Sequence, residues 1–403
     1  MLFRSKTVGT DKAVSVSGIS ITGGADATNY TLGNATASTT ATITARTLTV
    51  SDATPTDRPY NGTTSVAITG ATLVNTVTGD DVTLADADTG TIATASVGTD
   101  KPVTTAFTIT GADTGNYALV QPTDLTVDIT QAATTVTITC PPSVVYSGAA
   151  QTPCTASVTG AGGLDEPLVV SYGPNTNVGT VNVSASYAGT SDYAADTDST
   201  SFDITAKTLT VTATGVDRTY DGTTTATVTL STDKVGGDDV TVEATSASFA
   251  DKTVGIDKPV SVTGISITGG DDAGNYVLGN ATASTTATIT ARTLTVTATG
   301  VDRTYDGTTT ATVTLSTDKV GGDDVTVGAT SASFADKTVG VDKPVSVSGI
   351  SITGGADATN YTLGNATAST TATITARTLT VSDATPTDRP YNGGTTVAIT
   401  RSE

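Results

Sequence analysis

The chain has 403 residues, with no His, no Trp and two Cys, and its 19 basic and 39 acidic residues give a net charge of -20. Without His it lacks the commonest general base near neutral pH, and two Cys cannot fill a tetrahedral zinc shell, so we expect neither an enzyme nor a zinc protein. The acidic excess disfavours a nucleic-acid or anionic-membrane partner, because both require basic surfaces. We also expect no membrane insertion.

The apolar composition indicates the fold class. Charged residues make up only 14% of the chain, and Thr, Val and Ile far outnumber Leu. β-Branched side chains favour strands over helices. The composition therefore predicts an all-β protein.

Both ends of the chain differ from the sequence beside them. Residues 1–5 read Met-Leu-Phe-Arg-Ser, and residues 401–403 read Arg-Ser-Glu. One set of codons for Phe-Arg-Ser is the reverse complement of one for Arg-Ser-Glu, which is typical of a cloning or sequencing adapter translated with an insert. We interpret residues 1–5 and 401–403 as adapter-derived and the chain as an internal fragment, with coincidence as the alternative.

Between these ends the sequence is repetitive. The segment TLTVTATGVDRTYDG at residues 208–222 recurs unchanged at residues 293–307, and residues 6–30 match residues 337–361 with few differences. The repeat period, which runs from residue 208 to residue 293, is longer than that of solenoid repeats and suits small independent domains. We divide the chain into a partial first module (6–46), a diverged second module (47–132), a third module of another type (133–206), a fourth (207–291), a fifth (292–376) and the start of a sixth (377–400).

Within a module, apolar residues alternate with Thr or Ser over short runs, as at Leu209 and Val211 or at Val260 and Val262. This period of two predicts antiparallel strands with one face in water. Clusters of Gly, Asp and Asn separate the runs and are typical of turns. About seven short strands in each module predict a small antiparallel sandwich of immunoglobulin-like size.

The junctions between modules contain no Gly/Ser or Pro linker. Along residues 288–296 the small and apolar residues occupy odd positions up to Ala291 and even positions from Leu294. A shift of one residue turns side chains to the opposite sheet face, so one module's last strand is expected to lead directly into the next module's first strand. Because no flexible linker separates the modules, we expect them to form a rod-like array.

Several recurring motifs resemble those of a known family. Tyr-Asp-Gly and Tyr-Asn-Gly tripeptides, followed by Gly-Asp-Asp-Val and Asn-Tyr segments, are similar to the signature of the YDG repeat domain of bacterial surface proteins. The tripeptide residues are Tyr60, Asn61, Gly62, Tyr220, Asp221, Gly222, Tyr305, Asp306, Gly307, Tyr391, Asn392 and Gly393. The third module resembles the mostly-β, glycine-containing MBG modules.

Arrays of this kind resemble the repeat regions of large secreted adhesins similar to filamentous haemagglutinin. The resemblance implies an extracellular or bacterial-surface location and a stalk or spacer that projects a tip domain. The alternative is a multivalent module that binds carbohydrate or matrix with low affinity at each repeat. Under the stalk interpretation, host or environmental glycans or matrix are bound by other parts of the parent protein.

The tyrosine of each tripeptide is expected to be structural. In similar sandwiches such a ring packs over the sheet edge, and its hydroxyl caps a backbone group. An exposed ring that contacts a glycan is the alternative. The sequence predicts no cofactor.

Aspartates recur at matching positions in the modules and are favoured as turn residues. Calcium is the alternative, because it takes carboxylate and carbonyl oxygens in such loops, although no segment has the spacing of an established calcium loop. The calcium candidates are Asp238, Asp239, Asp272, Asp323, Asp324 and Asp357.

Two kinds of covalent crosslink are considered. Cys140 and Cys154 lie in one short segment of the third module, and a disulfide between them suits an exported protein, with two buried free thiols as the alternative. An isopeptide bond from Lys252 or Lys258 to an asparagine is less favoured. Its candidate acceptors are Asn275 and Asn280.

Overall fold

The computed structural model describes residues 1–382 and 384–400. Within that range the regular elements are strands and short 3-10 turns, and no helix is long and apolar enough to cross a membrane. Residues 401–403, interpreted above as adapter-derived, lie outside the described residues. The chain divides into two compact units, Met1–Thr205 and Ala206–Glu403. The 3-10 turns are Ala27–Asn29, Thr114–Asn116, Ala161–Gly163, Ala273–Asn275 and Ala358–Asn360.

The first unit begins with an antiparallel sheet of three strands. Its strands are Leu2–Phe3, Gly9–Ser17 and Thr36–Ile43. Gly9–Ser17 is the middle strand and pairs with both others. Its register shifts between Gly9 and Lys12, where Asp11 takes a left-handed backbone conformation with φ of 48°. The same register shift occurs in the second, fourth and fifth modules.

The second module has a compact core that includes Val66, Ile68, Phe107 and Val127. Its strands are short and form several small sheets. They are Arg46–Ser51, Thr54–Pro55, Arg58–Pro59, Ser65–Thr69, Thr72–Val74, Thr83–Ala85, Thr89–Thr91, Gly98–Pro102, Thr104–Thr105, Thr108–Thr110, Tyr117–Leu119 and Thr126–Thr130.

The third module has one sheet of three strands and one of four. Val136, Val158 and Ala185 belong to its buried core. The strands are Thr134–Thr139, Ser143–Val145, Thr155–Gly160, Leu164–Leu168, Ser171–Tyr172, Gly179–Tyr187 and Asp196–Thr205.

The fourth and fifth modules, in the second unit, repeat one strand arrangement. The fourth has Lys207–Leu209, Val211–Val216, Arg218–Thr219, Thr227–Thr232, Thr241–Glu243, Ser246–Phe249, Gly255–Thr263, Ser266–Gly269, Tyr276–Leu278 and Thr282–Thr290. The fifth has Arg292–Leu294, Val296–Val301, Arg303–Thr304, Thr312–Thr317, Thr326–Gly328, Ser331–Phe334, Gly340–Ser348, Ser351–Gly354, Tyr361–Leu363 and Thr367–Thr375. Thr385–Pro386 and Ile399–Thr400 pair at the start of the sixth module.

The predicted tandem-sandwich fold class is confirmed by these pairings and by the alternation of burial. In Gly255–Thr263, Val260 and Val262 are buried, whereas the flanking Ser261 and Thr263 are exposed. This alternation places valines in the core and hydroxyl side chains in water, as expected for a sheet with one wet face. Buried apolar clusters form the cores of the second, third, fourth and fifth modules.

Some strand pairs within these mainly antiparallel sandwiches are parallel. Arg292–Leu294 pairs in parallel with Tyr361–Leu363, and Arg303–Thr304 pairs in parallel with Thr367–Thr375. The corresponding strands of the second and fourth modules do the same. Parallel neighbours need a long crossover, and here most of the module separates the two strands of each pair in sequence.

The junction between the fourth and fifth modules contains a single residue outside the strands. Thr282–Thr290 ends one residue before Arg292–Leu294 begins, with Ala291 between them. Ile289 and Leu294 are both fully buried. The phase shift predicted from the sequence falls at this point, so the two modules are joined without a flexible linker.

Candidate functional site: the module joint

The Tyr-Asp-Gly turn of the fourth module positions a tyrosine towards the fifth module. Tyr220 directly follows strand Arg218–Thr219. The carboxylate of Asp221 accepts hydrogen bonds from the backbone and hydroxyl of Thr223, both at 2.9 Å, and Gly222 has φ of +82°. Asp and Gly therefore close the turn, as their conformational preferences predict.

Two tyrosine hydroxyls meet on one buried carboxylate. Tyr220 donates to Asp323 Oδ2 at 2.9 Å, and Tyr361 donates to the same oxygen at 2.7 Å. The two rings are in an edge-to-face arrangement with centroids 5.6 Å apart. Tyr220 is 1% exposed and Asp323 is 5% exposed. A carboxylate this deeply buried requires hydrogen bonds or an opposite charge.

Lys252 of the fourth module supplies that charge. Its Nζ donates to Asp323 Oδ1 at 2.8 Å and lies 3.4 Å from Asp357 Oδ1. It also lies 5.8 Å from the centre of the Tyr220 ring. One ammonium group thus bridges two aspartates of the next module and stacks beside the tyrosine of its own module.

A backbone contact and a shared core complete the joint. The Val254 N–H donates to Asn360 Oδ1 at 3.0 Å, and Asn360 is buried. The core of the fourth module continues into Leu294, Val325 and Tyr361 of the fifth. We call this surface, formed by Tyr220, Lys252 and Val254 with Asp323, Asp357, Asn360 and Tyr361, the Asp323 joint.

Burial and charge shift the pKa values in the joint. Burial alone would raise the pKa of Asp323, but hydrogen bonds from Lys252, Tyr361 and Tyr220 outweigh it and hold the pKa below its ordinary value. Burial, reinforced by the hydrogen bond to Asp323, raises the pKa of Tyr361 to about 12. The hydrogen bond to Asp323 raises the pKa of Lys252. All three groups therefore keep their ordinary charge states near neutral pH.

The same arrangement recurs in the first unit. Lys6 Nζ lies 2.9 Å from Asp80 Oδ1 and 3.8 Å from Asp113 Oδ1. The Tyr117 hydroxyl donates to Asp80 Oδ2 at 2.7 Å, and the Val8 N–H donates to Asn116 Oδ1 at 2.8 Å. Each contact has its counterpart in the Asp323 joint, although the second module has diverged in sequence from the fourth and fifth.

The second and third modules meet differently. The rings of Tyr60 and Tyr193 lie edge to face with centroids 5.2 Å apart, and the Val97 N–H donates to Asp192 Oδ1 at 2.8 Å. Ala95 occupies the sequence position that corresponds to Lys252. Asp192 therefore replaces the asparagine of the other joints, and the edge-to-face tyrosine pair of the Asp323 joint is kept without the lysine.

The tripeptide tyrosines differ in burial, and only Tyr220 is fully buried. The Tyr220 hydroxyl does not cap a backbone group in its own module, because it reaches a carboxylate of the next module. Tyr305 is half-buried, and Tyr391 is 98% exposed. Asp306 accepts a hydrogen bond from the Thr308 backbone, as Asp221 does from Thr223.

The calcium candidates have protein partners. Asp238 accepts from the Tyr276 hydroxyl, and Asp272 and Asp357 accept the backbone N–H of Asp239 and Asp324, respectively. Within residues 1–382 and 384–400, no group of three or more acidic or Cys side chains is arranged to hold a metal ion. The arrangement explains the recurring aspartates as hydrogen-bond acceptors in turns and joints.

The two cysteines of the third module are joined. Cys140 and Cys154 form a disulfide, with their Cα atoms 4.4 Å apart. The bond links the end of strand Thr134–Thr139 to the start of Thr155–Gly160, which are neighbours in one sheet. It fastens one end of that sheet covalently.

The lysines considered for an isopeptide bond contact carboxylates. Lys252 forms an ion pair with Asp323, and Lys258 forms one with Asp251. Asn280 donates to the carbonyls of Val211 and Thr282, both at 2.9 Å. These contacts assign both amines to ion pairs.

Two open clefts occupy the same place in the fourth and fifth modules. Their volumes are about 880 and 750 Å³. Their walls consist mainly of Thr, Ser, Ala and Val, with Glu243 the single acidic residue of the fourth-module cleft. The lining carries hydroxyl groups but no aromatic ring on which a sugar would stack.

These pairings and cores define a repeat protein of tandem immunoglobulin-like β-sandwiches. A sequence profile described as the YDG domain matches residues 1–41, 44–125, 205–287 and 290–372. Because these matches cover well over half of the chain, the chain belongs to the YDG domain family. Residues 126–204, which include most of the third module, lie outside them.

A comparison with curated proteins found no match. Among solved structures, the chain is similar to Sidekick-1 immunoglobulin domains 1-5, with 10% identity, 82% of this chain and 81% of that chain covered, and a TM-score of 0.22. The assignment of tandem sandwiches rests on the strand pairings and not on this similarity.

Proposed function

We propose that the chain is a stretch of a bacterial surface or secreted adhesin-like repeat protein, in which the modules form a stalk that projects a tip domain. In this proposal the chain is not an enzyme, and its third module is of the MBG type. Glycans or matrix are then bound elsewhere in the parent protein. The modules then set the length of the stalk and the orientation of the tip domain.

The observation that carries this proposal is the use of the family motif within the chain. Tyr220, Lys252 and Asp323 are the recurring residues that a ligand site would be expected to use, and all three are occupied by one another. A buried, hydrogen-bonded charge pair is sensitive to geometry, because a displaced partner leaves a charge desolvated and unpaired. The joint therefore favours one orientation of the fifth module relative to the fourth.

The disulfide supports the extracellular location. Disulfides persist in oxidising compartments and are rare in the cytosol. Cys140 and Cys154 are the only cysteines of the chain, and they are paired. This suits an exported protein.

The distribution of distances between two spin labels tests whether the joint fixes orientation. Thr229→Cys and Thr314→Cys place labels at exposed, equivalent positions of the fourth and fifth modules. We expect a narrow distribution that broadens when Lys252→Ala is added. Lys234→Ala, whose amine contacts the Val240 carbonyl within the fourth module, serves as the matched control. A broad distribution in the parent chain would contradict the stalk proposal.

A glycan array distinguishes the carbohydrate-binding alternative. The stalk proposal predicts no binding by the full chain, in agreement with clefts that lack aromatic side chains. Binding that grows with the number of modules displayed would instead indicate a multivalent carbohydrate-binding array.

A further inference from the structure

The first and last segments of the fifth module run side by side in the same direction. We call residues 292–305 the entry segment and residues 361–375 the exit segment, because the chain enters the module through one and leaves it through the other. The two segments pair in parallel at their start, where Arg292 lies opposite Tyr361, and again at their ends. The paired residues are 69 positions apart at the start and 71 at the end, so one parallel alignment extends along both segments.

Side chains continue this alignment between the two backbone pairings. The side-chain amide of Asn365 accepts a hydrogen bond from the Val296 N–H at 2.8 Å and donates one to the Val296 carbonyl at 2.9 Å. The hydroxyl of Thr370 accepts one from the Gly300 N–H at 3.2 Å. Three further hydrogen bonds between the segments join Gly364 to Leu294, Thr373 to Asp302 and Tyr305 to Thr375. The two segments are therefore connected along their whole length.

The fourth module repeats these contacts, and the second module keeps only part of them. Asn280 bonds both backbone groups of Val211, each at 2.9 Å. In the second module the parallel pairings at both ends are present, but Gln121 takes the position of Asn365 and bonds the backbone of Phe107 instead. The asparagine contact therefore distinguishes the two near-identical modules from the diverged one.

The parallel alignment determines how a module responds to tension. A pull along the chain draws the entry segment towards its N-terminal end and the exit segment towards its C-terminal end. Because the segments are parallel, these pulls slide one segment past the other, and all the hydrogen bonds between them share the load. One hydrogen bond contributes little, so the number that must break together sets the resistance.

We propose that the fourth and fifth modules bear tension, with the entry and exit segments of each module acting as a shear clamp and Asn280 and Asn365 as its central residues. The inference rests on the stalk proposal only for the source of the load, since a projected tip would transmit the pull. The resistance itself belongs to a single module. Modules without a fixed mutual orientation would contradict the stalk proposal and leave the clamp intact.

Pulling the fifth module in two directions tests the clamp. In the full chain, handles on Thr293→Cys and Ala376→Cys shear the two segments, whereas handles on Thr293→Cys and Thr362→Cys peel them apart from one end, because Thr293 lies opposite Thr362. All three positions are exposed, and Cys140 and Cys154 are already paired. In optical tweezers we expect the rupture force in shear to exceed that in peeling by about twofold or more, because peeling loads the hydrogen bonds one after another.

Substitution of the central asparagine tests its part in the clamp. With the shearing handles, Asn365→Ala is expected to raise the unfolding rate at constant force by about tenfold, because two hydrogen bonds are lost. Asn280→Ala removes the equivalent bonds from the fourth module and, as the matched control, should leave the rate of the fifth unchanged. Equal rupture forces in the two directions, or a rate unchanged by Asn365→Ala, would overturn the proposal. The comparison of directions keeps Asn365, so it decides the matter even where Asn365→Ala does not fold.

Discussion

The hydroxyl of Tyr220 donates to the buried carboxylate of Asp323 in the following module at 2.9 Å. The sequence separates these residues by more than a full module, yet both belong to motifs that recur along the chain. The tyrosine of the family's tripeptide motif in one module therefore forms a hydrogen bond with the next module. Its burial and its hydroxyl contact lead to separate predictions.

Tyr220→Phe removes the hydroxyl and keeps the ring. A hydrogen bond to a charged group contributes about 1.5–3 kcal/mol, and Asp323 keeps Lys252 and Tyr361 as donors. We expect a loss of unfolding free energy in this range for the second unit, measured by denaturant titration. Tyr305→Phe, in the equivalent tripeptide of the fifth module, is the matched control. We expect it to lower the unfolding free energy by less. Equal losses for both variants would show that the contact with Asp323 contributes nothing.

The pKa shifts define the pH range in which the Asp323 joint is stable. The pKa of Asp323 is lowered from 3.8, so its stabilisation is present above 3.8 and is lost as pH falls through the lower folded value. The pKa of Tyr361 is raised from 10.0 to about 12, so its stabilisation is present below 10.0 and is lost as pH rises through about 12. The spin-label distance should stay narrow between these limits and broaden outside them.

Ultraviolet absorbance of tyrosinate checks the alkaline limit directly. The pKa values of Tyr117, Tyr193, Tyr220 and Tyr361 are all raised, and we expect the late absorbance step to lose the contribution of one tyrosine in Tyr361→Phe. Tyr391→Phe, at a residue that is 98% exposed, is the matched control for the loss of one hydroxyl. A titration curve unchanged by Tyr361→Phe would contradict the assignment.

Removal of the disulfide is expected to destabilise the third module alone. The bond closes a loop with a sequence separation of 14 residues, and a loop of this size stabilises by about 3 kcal/mol in the chain-entropy model. Reductant should lower the melting temperature of the third module's calorimetric transition and leave that of the fourth and fifth modules unchanged. Thiol titration of the denatured, unreduced chain should find no reactive thiol. Two reactive thiols would contradict the disulfide.

Calcium is expected to leave the melting temperature unchanged. Asp323 already holds Lys252 and two tyrosine hydroxyls, so a cation would have to displace these donors. Calorimetry with millimolar calcium, against magnesium at the same ionic strength, measures this. A rise specific to calcium would restore the hypothesis of a calcium site at the recurring aspartates.

The sequence predicted the strands and the module junctions because these depend on local patterns. The alternation at Val260 and Val262 and the phase shift before Leu294 can be read within a few residues. The pairing of Lys252 with Asp323 was missed, since it joins side chains 71 positions apart in different modules. The sequence contains one signal of this pairing. Lys6 and Lys252 each lie in a module that is followed by a module with a Gly-Asp-Asp motif, whereas Ala95 takes the same position in the module before the third. Only the folded geometry shows that these residues touch.

The glycine of the Tyr-Asp-Gly turn provides a matched pair of substitutions for the joint. A Cβ on Gly222 would lie 2.7 Å from Cγ1 of Val320 in the next module, whereas one on Gly307 would meet nothing within 4 Å. The two glycines have nearly the same φ, +82° and +83°, so alanine at either site carries the same left-handed backbone cost of about 1–2 kcal/mol. Gly222→Ala should therefore cost more than Gly307→Ala by about 1–3 kcal/mol of overpacking. Denaturant titration of the two variants measures this difference, and equal values would show that the turn does not fit against Val320 in solution.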